Sequence, residues 1–167
     1  MYMKEFLTTR EDYHLLHPRQ VIILVVGSFE RANMMPLGWH TILSRNPFLV
    51  GLAISPKRFS HSMLMDFPFA TINLVDKSFE ELVENTGKCS GKNVDKFEQF
   101  HVNKVLAENG SAYIEGIPAY LEATRKGYFE TGDHTLFVLE ITKSVLKRPF
   151  CPLFQIAGDQ YQQFLVE

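Results

Sequence analysis

Apolar and polar positions along this chain mostly follow the two-residue period of strands. Residues 20–27 form a β-branched run, residues 48–54 a second apolar run, and residues 69–75 and 135–141 partly alternate. A longer mixed stretch, residues 32–44, reads as one strand. Pro36 should interrupt or bulge it, since proline brings no N–H to a ladder, and Gly38 permits close backbone approach. Helical spacing is confined to three short places: residues 60–66 behind a Ser60 cap, residues 78–85 with Phe79, Leu82 and Val83 on one face, and residues 94–100. Gly, Pro, Asn and Asp separate several of the strands. The expected architecture is a mainly β, closed antiparallel barrel crossed by a few short helices, occupying residues 1–167 as one domain.

That pattern excludes some functions. The alternation of strands and helices of a doubly wound sheet is missing, and neither G-x-G-x-x-G nor G-x-x-x-x-G-K-[ST] occurs, so no dedicated dinucleotide or P-loop domain is expected. No G-x-S-x-G elbow supports a hydrolase. The six histidines are scattered, with only His14 and His17 close in sequence, and no metal site is expected. A net charge of −2 with mixed signs offers no broad cationic face for nucleic acid or membrane. Cys89 and Cys151 do not form a disulfide framework, no leader or spanning segment is evident, and a cytoplasmic protein is expected. Fourteen Phe, six Tyr and one Trp are a large aromatic load, enough for a core with surface left for a planar ligand or a subunit contact.

Four separated segments carry candidate chemistry. Asn33-Met34-Met35-Pro36-Leu37-Gly38-Trp39 is an interrupted strand whose free backbone groups could meet a ligand edge, or a kink that buries Trp39. Arg58-Phe59-Ser60-His61 opens a helical turn, where free N–H groups and a guanidinium make a small anion site, although ordinary capping gives the same pattern. Ser90-Gly91-Lys92-Asn93-Val94-Asp95-Lys96-Phe97 puts a lysine after a flexible turn, where lysines are commonly just solvated. Gly132-Asp133-His134-Thr135 opens a strand at what should be a barrel rim. Near the C-terminus, Phe154 lies in an apolar segment, residues 152–158, suited to stacking or core packing.

In this order the motifs resemble the flavin reductase-like family of FMN-binding split barrels, which includes the flavoredoxins, over roughly residues 15–160. The resemblance implies a split β-barrel of Greek-key type and an FMN cofactor. It implies that Asn33, Met35 and Trp39 contact the flavin, that Arg58, Ser60 and His61 hold its nucleotide end, that Lys96 neutralises the phosphate or stabilises negative charge near N1 and O2 of the reduced ring, and that His134, with Phe154, lies by the ring, His134 as a possible catalytic group. It further implies a homodimer with flavin sites at or near the interface. The chain departs from the family pattern at Pro36, Gly38 and Leu139, which puts hydroxyl contacts at the first two in doubt and suggests tighter packing behind the site at the third. The expected function is an FMN-dependent oxidoreductase taking electrons from NADH, NADPH or a redox protein partner. The alternative is a flavoredoxin-like electron carrier without nicotinamide turnover.

Overall fold

In a computed structural model, residues 12–164 are described. The chain opens on a turn of 3-10 helix, Asp12–Leu16, followed by strands β1 (Arg19–Gln20), β2 (Ile22–Val26), β3 (Asn33–Leu37), β4 (His40–Arg45) and β5 (Phe48–Ile54). Helix α1 (Phe59–Asp66) leads to β6 (Phe69–Leu74), then α2 (Glu80–Gly87) and α3 (Lys96–Gln99). Strands β7 (Lys104–Leu106), β8 (Ala112–Ile114), β9 (Ala119–Thr131), β10 (His134–Leu146), β11 (Leu153–Ala157) and β12 (Gln160–Gln163) follow.

Seven strands form one antiparallel sheet in the order β3-β2-β6-β9-β10-β5-β4. Its two edges, β3 and β4, are consecutive in the chain and joined only by Gly38 and Trp39, so the sheet has to curl round to bring them to one corner. They meet there without pairing as a ladder. The result is the split antiparallel barrel that the family resemblance implies, not the closed one that the strand pattern alone suggests. A three-stranded sheet, β1-β11-β12, and the β7-β8 pair flank it.

Two buried clusters hold this arrangement. The barrel interior contains Ile22, Leu24, Leu52, Leu64, Phe137 and Leu139; the second cluster, on the other face of β2, packs Ile23, Val25 and Met34 against Val83 and Phe97 of α2 and α3. Strand β2 is buried on both faces, which explains its uninterrupted apolar sequence. The stretch 32–44 breaks at Gly38-Trp39, two residues beyond the expected Pro36. Pro36 is tolerated inside β3, opposite Ile23, because β3 is an edge strand with one side free of a ladder. Leu139 is fully buried within the barrel, its contribution being to the core.

Candidate functional site

Helix α1 closes one end of the barrel, and its first turn is where three of the sequence motifs converge. Asn33, the first residue of β3, donates from Nδ2 to Ser60 Oγ across 2.8 Å, and both side chains are buried. Gly91 packs so closely on Asn33 that a Cβ at position 91 would collide with Oδ1. The third motif therefore reaches the other two through its glycine.

Ser60 is not the helix cap. The N-cap is Arg58, which makes no side-chain cap bond, and Ser60 stands at the second helical position with its hydroxyl turned to Asn33. The start of α1 is thus left without a side-chain acceptor, with the exposed Arg58 beside it. Donors of this kind suit an anion.

Lys96 is only 4% exposed, and its Nζ donates to Met34 O at 2.9 Å and Thr86 O at 2.7 Å. It fastens β3 to the end of α2, so two of its three N–H donors serve backbone carbonyls, and it is enclosed where its motif alone reads as a solvated lysine. Burial holds its pKa below the usual lysine range; Cys89 acts in the opposite sense, and the charge of Arg58 adds to the lowering. Among the described residues neither Lys96 nor Arg58 is paired with a carboxylate. Their positive charge is left uncompensated at the head of α1.

The fourth motif joins the first at the opposite end of β3. Trp39 stacks on His134, with centroids 4.6 Å apart and planes 29° from parallel. His134 Nδ1 lies 2.8 Å from Asp133 Oδ1, and Gly132 takes a positive φ of 69° to make the preceding turn. His61 links the two ends: its Nε2 lies 2.9 Å from Thr135 Oγ1 and its ring meets Phe137 edge-on. Burial lowers the His61 pKa, which favours the neutral ring. Met35 packs against the barrel interior. Phe154 lies opposite Gln20 in the β1–β11 pair, with its ring edge-on to Phe164 at 5.4 Å.

Three site residues carry no signal in the sequence. Arg19 Nε donates to Gly38 O at 2.7 Å and its Nη2 to His40 O at 3.1 Å, stitching the β3–β4 corner. His40 Nε2 donates to Gln20 O at 2.8 Å, and burial keeps its pKa low, with the Arg19 charge adding to the effect. Tyr13 meets Trp39 edge-on at 5.0 Å. Nothing local marks any of them; they matter because β1 lies beside the corner.

A split barrel with an uncapped, cation-flanked helix start at one end of an edge strand and an aromatic stack at the other defines the class of protein. Residues 14–154 match the family described as flavin reductase like domain, and the chain belongs to it. It is 31% identical to an uncharacterised protein of Pyrococcus abyssi, over 77% of this chain and 74% of that one. It is 29% identical to an NADH-dependent FAD reductase of Streptomyces globisporus, over 74% of this chain and 68% of the relative. Its fold superposes on an FMN-binding protein from Thermus thermophilus, solved with bound 1-cyclohex-2-enone, with a TM-score of 0.86 and 26% identity over 98% and 96% of the two chains. A flavoredoxin from Methanosarcina acetivorans shares the fold with a TM-score of 0.86 at 18% identity, over 99% and 94%.

Proposed function

We propose that the chain is an FMN-dependent oxidoreductase that passes electrons from NADH or NADPH, or from a redox protein, through the flavin to an acceptor. The observation that carries this reading is the head of α1, where Asn33, Ser60 and Gly91 converge beside two cations that lack a counter-ion. A phosphate monoester supplies the missing charge. From Asn33 to Leu37, β3 spans about 13 Å at roughly 3.3 Å per residue, and the Trp39 corner lies just beyond it, so phosphate and ring contacts can be offered along one edge.

The donor set fits the cofactor. Arg58 and the first turn of α1 hold the phosphate, Ser60 is positioned by Asn33, and Lys96 sets β3 in place while adding to the local potential. Edge strand β3 offers backbone groups to the polar rim of the ring, and Trp39 forms a wall. His134, oriented by Asp133, moves a proton at Nε2. Bound FMN supplies the hydride and single-electron chemistry. We favour FMN over FAD because the phosphate anchor is compact and no loop for an adenylate is evident.

Anaerobic stopped-flow mixing with NADH and NADPH tests the activity, with bleaching of the flavin band expected for at least one of them. Reduction by dithionite alone would favour the electron carrier. Titration with FMN and FAD tests the cofactor, and tighter FAD binding would defeat the anchor assignment. We also assign the chain to a homodimer, because Ile42, Leu43, Tyr128 and Phe129 present large apolar side chains to solvent. Among the described residues no helix is long and apolar enough to cross a membrane. The two free thiols, Cys89 and Cys151, suit the reducing cytoplasm in which we place it.

A further inference from the structure

A cavity of about 270 Å³ opens on the outer face of the barrel, away from the head of α1. Register explains why it exists. Leu136 pairs with Ala53 and Thr41 with Gly51, so these residues share the face opposite to Phe137 and Leu52, which are fully buried inside. The absence of a side chain at Gly51 and the single methyl of Ala53 leave a depression in the sheet. A Cβ at position 51 would come within 3.1 Å of the Leu43 and Leu136 side chains, so a larger residue there would have to push these flexible ends aside. Trp39 and Leu136 supply walls, and Tyr13 and Leu16 reach over from the 3-10 turn.

The cavity's polar endowment is narrow. Arg19 lines it, is held by the Gly38 and His40 carbonyls, and has no carboxylate partner among the described residues. Two of its five N–H donors are engaged, which leaves others for a ligand. His40, which also lines it, donates to Gln20 O and is kept neutral by burial. The net offering is one positive charge in an aromatic and aliphatic enclosure. Size agrees: an apolar cavity of roughly 150 Å³ holds benzene, so this one has room for a single substituted ring.

We propose that this cavity binds a single-ring aromatic monoanion, a carboxylate or phenolate whose ring lies against Trp39 and whose oxygens meet Arg19. An aromatic ring matches the corner made by Trp39 and Tyr13, whose planes stand 73° apart. A planar carboxylate matches the guanidinium fork. The site does not depend on the flavin reading, although Trp39 places its occupant beside the proposed flavin.

Benzoate and its neutral counterpart benzamide are the probes, applied to the full chain as purified and again after saturation with FMN. Binding is read by saturation-transfer NMR and by emission of Trp39, the chain's single tryptophan. Benzoate should bind at least about tenfold more tightly than benzamide, a difference equivalent to ~1.4 kcal/mol, and Arg19→Met should bring the two together. Because Arg19 also supports the corner, Ala53→Leu provides the second variant: it leaves the Arg19 bonds in place, fills the floor and should abolish both ligands. Equal affinities in the unmodified protein, or benzoate binding unchanged in Ala53→Leu, would overturn the proposal. Full competition by NADH would give the cavity to the nicotinamide instead, and affinity that falls as the protein self-associates would give it to a second copy; either would also overturn it. Flavin absorbance in the same samples keeps the readings apart, since benzoate binding without flavin supports the cavity while counting against the cofactor.

Discussion

The indole of Trp39 lies on the imidazole of His134, one from the corner that joins the two edges of the sheet and the other from the start of β10. The Asp133 carboxylate accepts from Nδ1, which fixes the tautomer and leaves Nε2 to exchange a proton. His134→Gln should therefore slow anaerobic flavin reduction by NADH or NADPH by about 100-fold, the low end for loss of a positioned acid or base. FMN affinity should change little. Stopped-flow and a flavin titration on the same variant make the comparison, and an unchanged rate would reduce His134 to a packing partner of Trp39.

Arg58→Ala should weaken FMN by about tenfold and leave riboflavin unchanged, since a charge-assisted contact contributes ~1.5–3 kcal/mol in favourable cases and less at an exposed position such as this one. Calorimetry with both ligands gives the ratio. Equal losses would make Arg58 a support of the fold.

Lys96 links pH to stability with a definite sign. Its folded pKa lies below the unfolded value, so the unfolded chain binds the proton more tightly, and stability rises with pH between the lowered value and about 10.4. Lys96→Met removes that titration but leaves the Met34 and Thr86 carbonyls without their donor, which costs about 1–3 kcal/mol for each buried group left unsatisfied. The variant should be less stable at pH 7, and the gap should widen as pH rises. Urea unfolding at pH 7 and in steps up to about pH 10 measures it; a gap that narrows would reverse the assignment.

Assembly should depend on the exposed apolar side chains of edge strand β4. Ile42 is 69% exposed, and a glutamate there would have to be desolvated in an apolar contact. Sedimentation velocity over a dilution series should show a dimer for the unmodified chain and a shift toward monomer for Ile42→Glu. Identical profiles would move the interface elsewhere.

The sequence made some of this legible and hid the rest for physical reasons. Strand β5 could be read to the residue because its apolar run is bounded by Pro47 and Ser55. Strand β9 was not anticipated, since Glu122, Arg125, Lys126 and Gly127 disturb its alternation; Glu122 is nevertheless buried, because its carboxylate accepts from the Glu108 and Asn109 amides. The order of the four motifs points to one site, yet nothing along the chain signals that Lys96 is enclosed with two carbonyls or that Arg19 holds the corner. Both depend on contacts between segments distant in the chain. Composition and periodicity do not encode such partners.

The contact between Asn33 and Gly91 offers the most direct test that the motifs form one site. Gly91→Ala drives a methyl group into Asn33 Oδ1 and should displace that side chain from Ser60. FMN affinity should then fall by about tenfold, on the scale of ~1.5 kcal/mol for one disturbed hydrogen-bonded network. Asn33→Ala alone removes the same hydrogen bond and should have a comparable effect. Once Asn33 is gone, however, the methyl group at position 91 has nothing to displace. The double variant should thus bind FMN about as well as Asn33→Ala alone, a coupling of the kind expected for residues in contact. Losses that simply add would mean that Gly91 and Asn33 act independently, and the convergence of motifs at the head of α1 would then be a matter of packing alone.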